Sequence, residues 1–206
     1  LALKTKSPNL HRILEIITES TITICEGQAY DMDFEQRKDV TIDEYLNMIS
    51  KKTGRLISAS LEIGAIVGDA TPEQTNAIRE FGDLIGQAFQ VQDDLLDIMA
   101  DDKKFGKVPG GDLVAGKKTF LLLRAIALSN GEDKKTLQSI INNDGIEPSR
   151  VPEIKAIYEK CGVLQEANGL ISGNFEKAVK IAQELPDEQG RQTLIDFTSM
   201  LMQREF

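Results

Sequence analysis

The sequence has few of the residues that build metal–thiolate sites or disulfide frameworks. Its 206 residues include only two cysteines and one histidine. Cys25 and Cys161 lie far apart and fit no metal-binding spacing, which favours a reduced protein. No apolar run approaches the roughly 20 residues needed to cross a bilayer, and no signal peptide is visible. We therefore expect a cytoplasmic protein with no membrane span.

Basic residues are in the minority, and signs of β-structure are missing. Lysine and arginine total 24 against 33 acidic residues, giving a net charge of −9. That balance argues against general binding to nucleic acids or anionic membranes. The sequence also lacks strand-like alternation and internal repeats. Its length allows one large domain with a substantial core, so we expect a single domain over residues 1–206.

Apolar residues recur at helical spacing along the whole chain. Two start signals are clear: Thr41 to Glu44 (TIDE) forms a capping box, and Pro72 occupies a first-turn position. The predicted helices cover residues 9–28, 42–67, 72–100, 118–130, 133–142, 150–162, 163–184 and 187–203. The predicted fold class is all-α, a multi-helix bundle with more than four helices.

The segment from Phe89 to Lys107, FQVQDDLLDIMADDKKFGK, concentrates negative charge on one predicted helix. At about 100° per residue, one stripe contains Gln90, Asp93, Asp94 and Asp97. Like charges at this spacing oppose helix formation by a few tenths of a kcal/mol per pair, about 0.2–0.5. The stripe is therefore either a solvated outer face or a site for a cation.

Two features favour the cation site. Gly86 lies on the acidic side, costs about 1 kcal/mol relative to alanine in a helix, and is expected to leave room for something to approach. The loop that follows is rich in glycine and lysine, including Lys107 and Lys117. Carboxylates suit Mg²⁺, lysines neutralise phosphate charge, and glycines let backbone N–H groups approach an anion. The pattern predicts a metal–diphosphate site.

The motifs FQVQDDLLD and GKVPGGDLVAGKKT resemble the second aspartate-rich region of the trans-isoprenyl diphosphate synthases, the farnesyl and geranylgeranyl diphosphate synthase family. Two upstream motifs agree in order and spacing. GQAYDMDFE at 27–35 resembles the family's Gly-Gln helix end, and KKTGRL at 51–56 resembles its Lys-Thr motif. The resemblance implies an all-α bundle of the isoprenoid synthase type.

The same resemblance implies roles for individual residues. The metal-binding residues for Mg²⁺ would be Asp93, Asp94, Asp97 and Asp112. The catalytic residues would be Lys52, Thr53, Gln90 and Lys107, which also bind substrate. Further substrate-binding residues would be Lys117, Gln28 and Asp31. For Gln28 a second interpretation remains, namely that it caps the end of a helix.

The implied reaction joins isopentenyl diphosphate to a short allylic diphosphate, with Mg²⁺-assisted ionisation, and the family is typically homodimeric. Two alternatives stay open: a terpene cyclase of the same fold, and a non-catalytic partner subunit. Asp97 and the lysines favour elongation over cyclisation, and the intact acidic motif disfavours a non-catalytic subunit. The family's first aspartate-rich motif, with the arginines that follow it, has no counterpart in residues 1–206. We therefore expect the sequence to be the C-terminal portion of a synthase, with its N-terminal helices absent, and to be inactive alone.

Overall fold

The computed structural model describes residues 7–99 and 109–204, and these contain helices and no strand. The helices are α1 (Leu10–Gln36), α2 (Ile42–Ile49), α3 (Arg55–Val67), α4 (Pro72–Met99), α5 (Gly111–Val114), α6 (Phe120–Leu128), α7 (Gly131–Asn142), α8 (Val151–Cys161), α9 (Val163–Gln183) and α10 (Glu188–Met202). A π-helical segment (Ser50–Gly54) joins α2 to α3, and a 3₁₀ turn (Pro148–Arg150) precedes α8. The all-α prediction is confirmed.

The two predicted start signals both form as capping boxes. At α2, the Glu44 N–H donates to Thr41 Oγ1 at 3.2 Å, and the Thr41 N–H donates to Glu44 Oε2 at 2.8 Å. At α4, Thr71 and Gln74 exchange the same pair of bonds at 3.3 and 2.8 Å. These bonds satisfy N–H groups that have no partner within the helix, which is why both helices begin where the sequence predicts.

The predicted end of α1 near Gln28 is wrong, because the helix continues to Gln36. Its last turns pack Phe34, which is 4% exposed, and the Tyr30 ring lies 6.1 Å from the Phe34 ring. The Lys118 ammonium donates to the Glu35 carbonyl at 3.0 Å. A lysine at this position satisfies a terminal carbonyl and complements the negative end of the helix dipole.

The described residues form two compact units. The first contains those of Leu1–Ala29, Met48–Ala88 and Ser172–Arg204, and the second contains those of Tyr30–Asn47 and Phe89–Ile171. Fully buried apolar residues of the first unit include Ile16, Phe81, Ile85 and Phe175. Those of the second include Leu121, Leu122, Leu137, Ile140 and Ile154. The single domain over 1–206 remains a prediction.

Among the described residues, no helix combines the length and the apolar character that a membrane span requires.

Candidate functional site

The three aspartates of the α4 motif differ in how far they are exposed to solvent. Asp94 is only 5% exposed, whereas Asp93 and Asp97 are partly exposed. A buried carboxylate needs hydrogen-bond partners to offset its desolvation. The solvated-face interpretation therefore fails for Asp94, which has to be explained by what surrounds it.

Three groups surround the Asp94 carboxylate. The Tyr45 hydroxyl of α2 donates to Oδ2, and so does the backbone N–H of Phe120, the first residue of α6, at 3.3 Å. The Gln90 side-chain amide lies 3.4 Å from Oδ1, which is long for a hydrogen bond. A carboxylate at the start of α6 also complements the positive end of its dipole. Asp94 thus links α4 to two other helices.

The protonation states of Asp94 and Tyr45 follow from the burial of both side chains. Burial raises the pKa of Asp94 to about 7, although the hydrogen bonds from Tyr45, Gln90 and Phe120 act in the opposite direction. Burial and the neighbouring Asp94 charge together raise the pKa of Tyr45 well above its ordinary value. The phenol therefore keeps its proton and acts as the donor in its bond to Asp94.

The loop before α5 returns to α4 at Asp97. The Gly110 N–H donates to the Asp97 carbonyl at 2.9 Å, and the Asp112 N–H donates to Asp97 Oδ2 at 3.1 Å. Gly110 has a φ of +75°, and a Cβ there would lie 2.6 Å from Val151 Cγ1. Only glycine suits that position. Burial raises the pKa of the Asp97 carboxyl.

Lys117 and Asp112 form an ion pair beside Asp97. The Lys117 ammonium lies 2.6 Å from Asp112 Oδ1, and this bond raises the pKa of Lys117. The charges of Asp31 and Asp97 act in the same direction. The second unit therefore brings together four predicted site residues, Asp31, Asp97, Asp112 and Lys117.

Two parts of the predicted site are not established by these contacts. Lys107 lies outside the described residues. Within residues 7–99 and 109–204, no group of three or more His, Cys, Asp or Glu side chains is arranged to hold a metal ion. The assignment of Asp93, Asp94, Asp97 and Asp112 to Mg²⁺ therefore stays a prediction.

In the first unit, Lys52 and Thr53 lie in the π-helical segment Ser50–Gly54. The π-helix is rare and appears mostly as single turns inside α-helices, frequently at functional sites. Two glycines contact this segment. A Cβ on Gly27 of α1 would lie 2.4 Å from Lys52 N, and a Cβ on Gly86 of α4 would lie 2.4 Å from Gly54 Cα. The neighbouring helices approach so closely only because both residues lack a side chain.

These contacts correct two interpretations of the sequence. The space at Gly86 is filled by the backbone of Gly54 and is not open to a ligand. Gln28 lies inside α1 and is exposed, so it does not cap a helix end. Its neighbour Gly27 suggested a helix end in the sequence but serves as a packing contact.

Tyr45 and Lys118 are the residues whose roles the sequence did not suggest. Tyr45 is separated from Asp94 by 49 positions, and no local pattern relates the two. Lys118 opens the predicted helix over residues 118–130, but its side chain is 6% exposed and donates to the Glu35 carbonyl near the end of α1. Side-chain pairing at such separations is determined by tertiary packing.

Comparison with known proteins adds an independent result. The Polyprenyl synthetase family model matches residues 1–160. A short chain isoprenyl diphosphate synthase of Methanothermobacter thermautotrophicus is 35% identical over 192 residues, which cover 93% of this chain and 58% of that protein. A geranylgeranyl diphosphate synthase of Sulfolobus acidocaldarius is 41% identical over 173 residues, or 84% of this chain and 52% of that one.

The fold has a counterpart among solved structures. The crystal structure of a geranylgeranyl pyrophosphate synthetase from Pyrococcus horikoshii matches with a TM-score of 0.88 at 34% identity. The match covers 99% of this chain and 62% of that chain. The chain therefore spans less than two thirds of the length of each of these three proteins.

Proposed function

The chain belongs to the polyprenyl synthetase family, and we therefore propose that the full-length protein is an isoprenyl diphosphate synthase. It would condense isopentenyl diphosphate with a short allylic diphosphate. The observation that carries the proposal is the intact aspartate-rich motif on α4, within the matched residues 1–160. The similar proteins from Methanothermobacter thermautotrophicus and Sulfolobus acidocaldarius are both diphosphate synthases by name.

The proposed reaction breaks one C–O bond and forms one C–C bond. The allylic C–O bond breaks, and both electrons leave with the diphosphate. The double bond of isopentenyl diphosphate then attacks the allylic cation, and loss of a proton restores a double bond. The products are inorganic diphosphate, a proton and a prenyl diphosphate that is longer by one isoprene unit. Because negative charge develops on the departing diphosphate, fixed positive charge near it lowers the barrier.

The donor chemistry of α4 fits a hard divalent cation. Asp93 and Asp97 are four residues apart, which puts them on the same side of the helix, and both are partly exposed. When bound there, Mg²⁺ would stabilise the charge on the diphosphate oxygens. Asp112 would assist from α5, once its carboxylate is released from Lys117. Asp94, whose Oδ2 already accepts two bonds, would support this group from the interior.

The remaining roles follow from the resemblance. Lys52, Lys107 and Lys117 would bind diphosphate oxygens as compact cations. Thr53 and Gln90 would add hydrogen bonds to substrate, and Gln28 and Asp31 would be further substrate-binding residues. The location of Lys52 and Thr53 in a π-helical segment supports a functional role for both.

Elongation is favoured over the two alternatives. The relatives described above are synthases by name, and none of those names points to a cyclase. A non-catalytic subunit would have no need of the acidic motif, which is complete here.

The location and assembly of the protein are part of the same proposal. Both cysteines are free, which suits a reducing compartment such as the cytoplasm. The resemblance also implies a homodimer. Sedimentation of the full-length protein tests that point, because a homodimer has twice the mass of one chain.

The function is tested by Asp93→Ala in the full-length protein. We expect prenyl transfer to fall by several orders of magnitude, on the order of 10³-fold or more, because the metal would lose a direct ligand. Asp83→Ala is a matched control, since Asp83 is an exposed aspartate of the same helix. Circular dichroism should show both variants folded. A folded Asp93→Ala variant with normal turnover would refute the proposed function.

A further inference from the structure

We infer that Tyr45 is a positioning residue, which acts through Asp94 to fix the rotation of α4 about its axis and so to aim Asp93 and Asp97. The inference rests on the proposed function, in which those two carboxylates bind metal. It also departs from the metal-binding role that the resemblance implies for Asp94: Asp93 and Asp97 would face the ligand, and Asp94 would hold the helix that carries them.

The anchoring contact is buried on both sides. Tyr45 is 3% exposed and Asp94 is 5% exposed, and the hydroxyl of the first donates to Oδ2 of the second. The backbone N–H of Phe120 donates to the same oxygen from α6. The carboxylate is therefore bound from two helices other than its own. These two hydrogen bonds limit how far α4 can rotate, because a rotation moves Asp94 Oδ2 away from the Tyr45 hydroxyl and the Phe120 N–H.

The geometry explains why small rotations matter. Asp93 and Asp97 lie one residue before and three residues after Asp94 on the same helix. Side-chain ends lie about 5–6 Å from a helix axis, so a rotation of about 10° displaces them by about 1 Å. Mg²⁺ requires near-ideal octahedral geometry with ligand distances of about 2.0–2.1 Å. A displacement of that size is enough to weaken metal binding.

The chain offers a matched control in the same unit. Tyr158 of α8 is 1% exposed, so its ring is as buried as that of Tyr45. Its hydroxyl makes no hydrogen bond within the part of the chain that the structure describes. Replacing either tyrosine by phenylalanine removes one oxygen from a buried ring, but only Tyr45→Phe removes a bond to Asp94.

The first experiment compares Tyr45→Phe with Tyr158→Phe in the full-length protein. Binding of Mn²⁺ in the presence of inorganic diphosphate is followed by the electron paramagnetic resonance signal of the free ion. We expect Tyr45→Phe to weaken binding about tenfold, the lower end of the effect of outer-shell partners. We expect Tyr158→Phe to match the wild type. Equal affinities for the wild type and Tyr45→Phe, or equal losses in both variants, would overturn the inference.

The second experiment tests whether Asp94 positions α4 or binds the metal itself. It does not depend on whether the Tyr45→Phe variant folds. Asp94→Asn keeps an oxygen that can accept from Tyr45 and Phe120 but removes the charge. We expect it to retain most of the Mn²⁺ affinity, whereas Asp93→Asn should lose about tenfold or more. Equal losses in the two asparagine variants would overturn the inference. Normal affinity in Asp93→Asn would instead overturn the proposed function on which it rests.

Discussion

At the scale of single residues, Glu44 has two partners at the start of α2. Its Oε2 accepts from the Thr41 N–H, and its Oε1 lies 2.8 Å from Arg37 Nη1. The Arg37 hydrogen bond, followed by the Thr41 backbone bond, lowers the pKa of Glu44 from 4.5 to about 2. Because the folded state holds the ionised form, this stabilisation is present above about pH 4.5 and is lost as the pH falls through about 2.

We therefore predict that Glu44→Gln lowers the melting temperature at neutral pH and has a smaller effect near pH 2. The measurement is thermal unfolding at several pH values between 7 and about 2. Glu176→Gln, at an exposed position of α9, serves as the control and should change the pH profile little. A difference between Glu44→Gln and the wild type that stays constant with pH would contradict the prediction.

The contrast between Glu44 and Asp94 shows what the sequence can predict at this scale. Thr41 and Glu44 are three residues apart, so their reciprocal bonds follow from a local motif. The sequence also marks Asp94 as a site residue from its position in the acidic stripe. It cannot distinguish Asp94 from Asp93, because the difference depends on Tyr45 and Phe120, which reach Asp94 only in the folded chain.

At the scale of helices, the π-helical segment and its two glycines act together. Gly27 and Gly86 contact the backbone at Lys52 and Gly54, so a methyl group at either glycine requires the segment to move. Helix boundaries were largely predictable, since capping boxes and glycines mark them locally. The π-helical segment was not predictable, because it packs against Gly27 of α1. A glycine looks the same in the sequence whether it ends a helix or packs inside one.

We predict that Gly86→Ala destabilises the protein by about 1–3 kcal/mol, the usual cost of overpacking. It should also weaken binding of inorganic diphosphate, because Lys52 would shift with the segment. The control is Gly64→Ala in α3, where an added Cβ has no neighbour within 4 Å. That variant should be neutral or more stable by up to about 1 kcal/mol, since alanine favours helices.

Thermal unfolding and calorimetric titration with inorganic diphosphate measure the two effects. If Gly86→Ala were as stable as Gly64→Ala, the backbone at Gly54 would move aside at little cost in free energy, and the predicted destabilisation would be wrong. A destabilised Gly86→Ala variant with unchanged diphosphate affinity would separate the packing of the segment from the proposed role of Lys52.

At the scale of the whole chain, the 206 residues contain one aspartate-rich motif of the kind that the resemblance implies in pairs. The matched part covers 58% of the Methanothermobacter thermautotrophicus synthase. Among residues 7–99 and 109–204, no three acidic, histidine or cysteine side chains are arranged to hold a metal ion. Mg²⁺ takes six ligands in octahedral geometry, which is more than the carboxylates of one aspartate-rich motif supply.

We therefore predict that a polypeptide limited to residues 1–206 binds Mg²⁺ and diphosphate weakly and does not elongate prenyl chains. Radiolabelled isopentenyl diphosphate with a short allylic diphosphate provides the assay, and the full-length protein is the positive control. Robust product formation by the shorter polypeptide would show that these residues assemble a complete site without a second acidic motif.

The π-helical segment has a consequence for the register of the chain. A π-helical turn bonds residue i to i+5, so it accommodates one residue more than an α-helical turn. Deleting one residue between Ser50 and Gly54 would remove the π-helical turn, but it would rotate α3 by about 100° relative to the buried Met48 and Ile49, which precede the segment in the same unit. Ser58 and Glu62, both buried, would then leave the interior. Within the first unit, the irregular turn thus keeps the buried side chains before and after it facing the same interior.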